Sequence, residues 1–381
     1  MTQQPQPVAT AATNGHTPRP QDSTRQCVKY SFFKVDTAFR RLPEDQQMAL
    51  KLELIATIRG FNRRMLLRPY SLVGLRGDVD ILLWQVAEEI DAFNALAQAI
   101  FSTGMGSYMT MPYSLLAMTR KSIYDIGVTD EGEEADRLII QPGDGKYLFV
   151  YPFVKTRAWY ALSHEERQRM MSEHIRVGRQ YPQIKLNTTY SFGLDDQEFV
   201  VAFEGENPAD FLDLVMELRD TEASLYTLRD TPTFTAINMT LAEALDSIGG
   251  APVAETAGPD MATHQGWMQT VALSELAEGT SAKVYLGNQQ VAIFNVGGEL
   301  FAINNRCPHA RGPLCEGTVH DGANPSVTCP WHKADFDLRT GAVIDGPIRT
   351  PVESYAVRVG DDGYVYIANH DSVTAELPHV G

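Results

Sequence analysis

The chain has 381 residues, too many for one ordinary core and enough for two or three units. Its 48 acidic residues outnumber 32 basic ones, and the net charge of -16 excludes a broad nucleic-acid surface while leaving room for a local basic pocket for an anion. No apolar run is long enough to cross a bilayer, and the first 26 residues lack the apolar stretch of a secretion signal, so a cytoplasmic protein without a membrane span is expected.

Met1 to Gln26 is rich in Thr, Gln, Pro and Ala with almost no large apolar residue, which predicts a disordered tail. A first folded stretch then runs through strand-like "VKYSFFKV", a helical pattern from Pro43 to about Met65, strand-like "RPYSLVGL" and "VDILLWQV", and a second helix near Glu88 to Phe101. The same order returns as "YLFVYPFV", a helix opened by the capping box Ser163-x-x-Glu166, "LNTTYSFGL", "QEFVVAFE" and a helix near Ala209 to Arg219. Each copy is a βαββαβ-like unit on the ferredoxin-like plan, and two of them can pair their sheets and close toward a barrel. The halves fall at about 27–125 and 145–238 within a unit of 27–245. At the level of letters, Tyr30 and Lys34 recur as Tyr151 and Lys155 at an offset of 121, and Leu42 recurs as Leu162 at 120.

The stretch "GGAPVAETAGPDMATHQG" has the Gly, Pro and Ala content of a linker, placed at 246–266. Beyond it, 267–370 is an all-β unit of short strands, with Gly-Gly and Asp-Gly turns in "QVAIFNVGGELFAIN" and "YAVRVGDDGYVYI", and 371–381 is a terminal tail. The expected class is therefore α+β: duplicated ferredoxin-like halves forming a dimeric α/β barrel, followed by an all-β domain.

Three of the four cysteines crowd into 23 residues of that β unit, which suggests metal rather than a disulfide framework. "CPHARGPLCEGTVHDGANPSVTCPWHKADF" contains Cys307-x-His309 and, 19 residues on, Cys329-x-x-His332. Two thiolates and two imidazoles suit either a Cys2His2 zinc site or a [2Fe-2S] centre with two His on one iron. Zinc fingers pair their cysteines in one place and their histidines on a helix, whereas here each loop supplies one of each and carries Pro and Gly. This resembles the Rieske family over about 267–368, including "FDLRTGAVIDGP". The resemblance implies both thiolates on a buried iron and both imidazoles on an outer one. Trp331 stands where high-potential members carry a second disulfide cysteine, so Cys315 has no mate; Cys315 and Cys27 are expected to be ordinary thiols, and the potential to lie near the low end of the range, on the order of -150 mV.

Only His164 and His174 fall between Cys27 and Gly250. His164 follows the cap Ser163 and is expected to be exposed, while His174 shares a helical face with Met170, Val177 and Tyr181. An offset of 120 aligns His174 with Leu54, so one slot holds an aliphatic side chain in the first copy and an imidazole in the second. A hydrogen-bonded core histidine and an axial haem ligand both fit that position. "YPFVKTRAWYALSHEERQRMMSEHIRVGRQYP", with "NTTYSFGLDDQEFVVAFE" and "YTLRDTPTF", is similar to the chlorite dismutase family, and within it to the coproheme decarboxylases of bacterial haem synthesis, over about 28–238. The resemblance implies haem b or coproheme (iron coproporphyrin III) in the C-terminal half, His174 on the iron, Tyr151 as the catalytic tyrosine, Lys155 near the propionates, and a homo-oligomeric ring, most often a pentamer. Tyr113 is a further candidate contact to the cofactor.

Chlorite dismutases place an arginine about 13 residues beyond the histidine; this chain has Asn187 there, and no arginine between Arg179 and Arg219, which disfavours anion dismutation. The implied reaction is oxidative decarboxylation of two coproheme propionates to vinyl groups by peroxide. The fused Rieske unit adds a tethered one-electron carrier with an unknown donor, and raises O2 as the alternative oxidant. A Rieske-fed haem oxygenase or peroxidase, a chlorite dismutase-like enzyme and a non-catalytic haem or redox sensor are the other readings.

Overall fold

The structure is a computed structural model that describes residues 25–62, 64–120, 122, 124, 139–140, 142–143, 145–254, 263–264, 267–286, 289–360 and 363–368. The expected tail up to residue 24, part of the linker and the C-terminal tail lie outside the described residues. Among the described residues no helix is long and apolar enough to cross a membrane.

Nine strands of the first unit form one antiparallel sheet: β1 (Cys27–Val35), β2 (Leu66–Ser71), β3 (Ile81–Ala87), β4 (Met109–Met118), β5 (Tyr147–Lys155), β6 (Lys185–Tyr190), β7 (Phe199–Gly205), β8 (Thr227–Arg229) and β9 (Phe234–Asn238). Their order, β7-β6-β4-β1-β3-β2-β9-β5-β8, is closed by a β5–β7 pairing, so eight strands make a barrel and β8 sits on one end of β5. An eight-stranded barrel is just wide enough for side chains to fill it. Val28, Tyr30, Phe32, Tyr70, Trp84, Leu148, Val150 and Phe234 do so as one buried cluster.

Helices α1 (Glu44–Arg59), α2 (Asp91–Ser102), α3 (Arg157–Ala161), α4 (His164–Gly178) and α5 (Pro208–Asp220) flank the sheet. The α4 capping box forms as its sequence predicts: Glu166 N donates to Ser163 Oγ at 3.2 Å and Ser163 N to Glu166 Oε2 at 2.9 Å. The duplication is carried by matching backbone bonds. Val35 N donates to the Asp80 carboxylate at 2.9 Å and Lys155 N to the Glu198 carboxylate at 2.8 Å, while Asp80 N and Glu198 N reach Phe33 O and Phe153 O. The structural offset is thus 120 in the first strand as well as in the helix. This corrects the match of Tyr30 with Tyr151 and Lys34 with Lys155. Ser31 and Val35 are the true counterparts, and a shift of one residue flips a strand side chain to the other face. Tyr30 is fully buried inside the barrel, whereas Tyr151 faces the helices.

A short helix, α6 (Leu241–Ser247), escapes the strand-and-helix pattern read from sequence, although its capping box Thr240/Glu243 was there to be read. It packs on the first half, and the chain that follows stays bound. Ile248 and Val253 are buried, and the fully buried Lys51 ammonium binds Asp246 at 3.0 Å and Ala251 O at 2.8 Å. The start of the expected linker is therefore part of the first core, because it carries apolar residues and a partner for a buried charge.

The C-terminal unit is all-β: β10 (Thr263–His264), β11 (Trp267–Ala272), β12 (Ser281–Leu286), β13 (Gln289–Val296), β14 (Glu299–Asn304), β15 (Thr318–His320), β16 (Ser326–Thr328), β17 (Asp335–Asp337), β18 (Val343–Asp345), β19 (Ser354–Val359) and β20 (Tyr364–Ala368) form a seven-stranded sheet β10-β11-β20-β19-β14-β13-β12 and a four-stranded sheet β15-β16-β17-β18. Gly297 and Gly298 take φ of 61° and 83° at the β13–β14 turn, the left-handed region that the hairpin requires. The unit is docked on one end of the barrel. Tyr285 packs in the barrel's own buried cluster, and Glu88, just after β3, pairs with Lys283 at 2.6 Å and Arg306 at 3.4 Å. Replacing both Tyr285 and Glu88 by Ala removes an aromatic anchor worth about 3–5 kcal/mol and the only carboxylate given to Arg306 among the described residues. One calorimetric melting transition is expected to split into two; an unsplit transition counts against this docking.

Candidate metal centres

The two ligand loops of the β unit share one backbone form. Cys307 N donates to Gly312 O at 3.0 Å and Cys307 O accepts from Arg311 N at 2.8 Å; Cys329 N donates to Ala334 O at 2.7 Å and Cys329 O accepts from Lys333 N at 3.3 Å. Arg311 and Lys333, four residues after each cysteine, have φ of 64° and 63°, the two non-glycine positions with positive φ among the described residues. The loops approach closely because Gly312 has no side chain: a Cβ there would stand 2.9 Å from Cys329 Sγ. Cys307 and Cys329 are each 1% exposed, whereas His309 and His332 lie at the surface with ring centroids 4.6 Å apart. Burial, with the neighbouring Cys329, pushes the Cys307 thiol up, so it needs a cation to hold it as thiolate. Among the described residues no three His, Cys, Asp or Glu side chains surround a single point; these four donors stand as a buried sulfur pair and an outer nitrogen pair. That donor set fits a two-iron cluster.

The second candidate centre lies between sheet and helices in the second half. Strand β5 alternates: Leu148 and Val150 enter the barrel, while Tyr147, Phe149, Tyr151, Phe153 and Lys155 face the helices beside Phe199, Val201 and Phe203 of β7. In the first half the equivalent layer is filled by a cluster of 22 buried apolar residues, with Leu54 among them. In the second half the described residues form two smaller clusters, of five and three buried residues. Tyr147, Phe149 and Tyr151 line the sheet side of this layer, and His174 on α4 is half-buried.

His174 lies on α4 with Met170 and Val177, both buried. Its Nδ1 is 3.1 Å from Thr221 Oγ1, and that hydroxyl donates to Leu218 O at 2.7 Å. The hydroxyl proton being so used, its lone pair accepts Nδ1–H, which leaves the Nε2 lone pair for a metal. Burial, then the nearby Lys155 cation, pushes the imidazole down to about 4, so it is neutral at physiological pH and ready to ligate. Thr221 belongs to the architecture. Thr103, its counterpart in the first half, makes the same bond to Ile100 O at 2.7 Å, where Leu54 needs no partner.

Lys155 is buried, donates to Ala223 O at 2.6 Å and lies 4.6 Å from the centroid of the Trp159 ring; burial pushes it down to about 8. Its ammonium is bonded to the Ala223 carbonyl and lies within electrostatic reach of His174. Tyr151 stacks on Phe203 at 6.1 Å; burial first, then Asp230, raises its phenol well above the ordinary value, and Arg219 opposes this. Arg219 pairs with Asp230. Thr221, Arg219 and Asp230 are site neighbours that letter patterns missed, although each lies in or beside the matched "YTLRDTPTF" block or the end of α5.

Tyr113 packs against Phe32 and Phe234 of the barrel core and donates to Asp78 at 2.7 Å. Asn187 pairs with Ala202 on the barrel-facing side and donates to buried Glu204 at 2.8 Å; the helix-facing residues of β6 are Leu186, Thr188 and Tyr190, none of them cationic. His164 is exposed, as expected.

Both units have counterparts among known proteins. Residues 47–239 match the chlorite dismutase family model and 266–368 a Rieske-like [2Fe-2S] domain. The chain is 34% identical over 170 residues to a coproheme decarboxylase of Mycolicibacterium smegmatis, spanning 44% of this chain and 70% of that protein. It is 39% identical over 100 residues to the ferredoxin subunit of an anthranilate 1,2-dioxygenase of Burkholderia cepacia, 26% of this chain and 90% of that one. Among solved structures, chlorite dismutase from Candidatus Nitrospira defluvii in complex with imidazole superposes with a TM-score of 0.53 at 25% identity, covering 58% of this chain and 94% of that chain. A heme-binding protein from Thermus thermophilus, at 22% identity and a TM-score of 0.54, shares the fold over 61% of this chain and 98% of its own. The chain belongs to the chlorite dismutase family and carries a Rieske-like [2Fe-2S] domain behind its barrel.

Proposed function

We propose that the protein is a coproheme decarboxylase whose Rieske domain exchanges electrons with the barrel unit. The observation that carries this is a difference between the halves: where the first has Leu54 and Ser31, the second has a half-buried histidine whose Nδ1 is engaged by Thr221 and a half-buried tyrosine on the strand that faces the helices. His174 holds the iron, oriented by Thr221 and kept neutral by its surroundings. When bound, the iron porphyrin supplies a peroxide-driven oxidant. Tyr151 gives up an electron and its proton, for which Asp230 is the nearby base, and the phenoxyl then takes a hydrogen from the β-carbon of a propionate. A second electron passes from the substrate radical to the oxidant that the bound group supplies, carbon dioxide leaves, and a vinyl group remains. Per propionate, one peroxide is reduced to two waters. Arg219 is the cation beside Tyr151 that a propionate carboxylate can take in place of Asp230. The lack of a cation on the helix-facing side of β6 argues against chlorite as substrate. Lys155 is a positioning residue that acts through His174 and Ala223.

Cys307 and Cys329 hold the inner iron of the cluster and His309 and His332 the outer one. With both imidazoles exposed, an external one-electron donor reaches the cluster, and reduction allows O2 to replace added peroxide. Exposed Leu212, Met216, Leu225 and Leu228 on α5 and the chain after it support association of copies into a ring.

Tyr151→Phe is expected to bind coproheme with unchanged affinity and leave both propionates intact, as read by mass spectrometry after incubation with peroxide, or with O2 and a reductant. Normal conversion by that variant would sink the assignment. Thr221→Val removes the acceptor of His174 Nδ1–H, and coproheme affinity is expected to fall about ten- to hundredfold. Equal affinity in a titration means that Thr221 does not orient the ligand.

A further inference from the structure

The barrel interior contains an anomaly that packing does not explain. Tyr30 and Trp84 are fully buried, yet Tyr30 Oη and Trp84 Nε1 have no hydrogen-bond partner among the described residues. A buried donor without a partner costs about 1–3 kcal/mol, and Phe would fill either place without that cost. The two rings stack, with centroids 5.4 Å apart and planes 24° from parallel. They belong to the one buried cluster that also takes in Tyr285 of the Rieske domain and Leu148, Val150, Val200 and Ala202 of the second half. Leu148 and Val150 are the inward residues of β5, the strand whose outward face carries Tyr151. Side-chain packing is thus continuous from the Rieske domain to the Tyr151 strand.

We propose that this aromatic core is an electron route from the Rieske cluster to Tyr151, with Trp84 and Tyr30 as the side chains that are transiently oxidised. The proposal rests on the reading of Tyr151 given above. Oxidised Tyr151 is refilled by one electron from the stacked pair and takes up a proton. Tyr30, when it is the residue oxidised, passes its proton to Glu204, a carboxylate 2% exposed within electrostatic reach of its phenol. One electron from the reduced cluster restores the pair, the proton returns to Tyr30, and an external one-electron reductant recharges the cluster. In balance, Tyr151 phenoxyl, reduced cluster and one proton give Tyr151 phenol and oxidised cluster. The route discharges Tyr151 when peroxide arrives and no convertible propionate is bound.

The full chain loaded with haem b, the divinyl product, is suited to the test. The cluster is reduced with dithionite, excess reductant is removed, peroxide is added, and cluster reoxidation is followed by freeze-quench EPR at the cluster signal. Tyr30→Phe and Trp84→Phe are each expected to slow reoxidation tenfold or more and to lengthen the life of the tyrosyl signal, with cluster EPR and haem affinity unchanged. Tyr30→Phe deletes only a hydroxyl without a partner, so it keeps the test valid should Trp84→Phe fold poorly. Reoxidation at the wild-type rate in Tyr30→Phe and in any folded Trp84→Phe overturns the route. If Tyr151→Phe is inactive on coproheme while both core variants behave as wild type, the functional reading stands and only the route falls; if Tyr151→Phe converts coproheme, the functional reading itself falls.

Discussion

A closed antiparallel barrel gives every strand two faces, and on β5 the pleat sends Leu148 and Val150 inward while Tyr151 and Lys155 face the helices. The candidate haem centre depends on that phase. It sets an aromatic wall opposite α4, puts Tyr151 on the same side as His174, and brings the Lys155 cation close enough to help keep the imidazole neutral. A slip of one residue would exchange the two sets and bury Tyr151 in the barrel, where Tyr30 lies now.

Within the duplicated frame, chemistry arises from a few departures. Leu54 becomes His174, Ser31 becomes Tyr151 and Val35 becomes Lys155, while the threonine that closes the following helix is kept in both copies. In the first half that layer is packed apolar core, further covered by α6. In the second half Thr221, already present for the helix end, becomes the partner of His174 Nδ1.

Local signals were legible in the sequence. The Ser163/Glu166 box, the Gly-Gly hairpin and the inward phase of His174 each follow from spacing within a few residues. The two ligand loops were legible as well, since Cys-x-His and Cys-x-x-His fix the donors, and their shared backbone form only adds how the loops close. Letter matching failed where strand phase decides. Tyr30 resembles Tyr151 in its neighbours yet lies one residue out of phase, and Asn187 sits near the expected place yet turns into the barrel toward Glu204. The bond of Tyr113 to Asp78 was not legible, because the partners lie 35 residues apart. The docking through Tyr285 and Glu88 brings together residues about 200 apart, beyond the reach of any local pattern.

The docked Rieske domain meets the barrel through Tyr285 and the Glu88 ion pairs, and a tether alone does not describe the two units. Both the proposed electron traffic and the proposed decarboxylation nevertheless require iron on His174, and that claim has a direct test. Ferrous coproheme bound to the wild-type chain is expected to show an iron–imidazole stretch in resonance Raman, His174→Gly to lose it, and added imidazole to restore it in the cavity beside Thr221. An unchanged iron–imidazole stretch in His174→Gly, without added imidazole, would contradict the account.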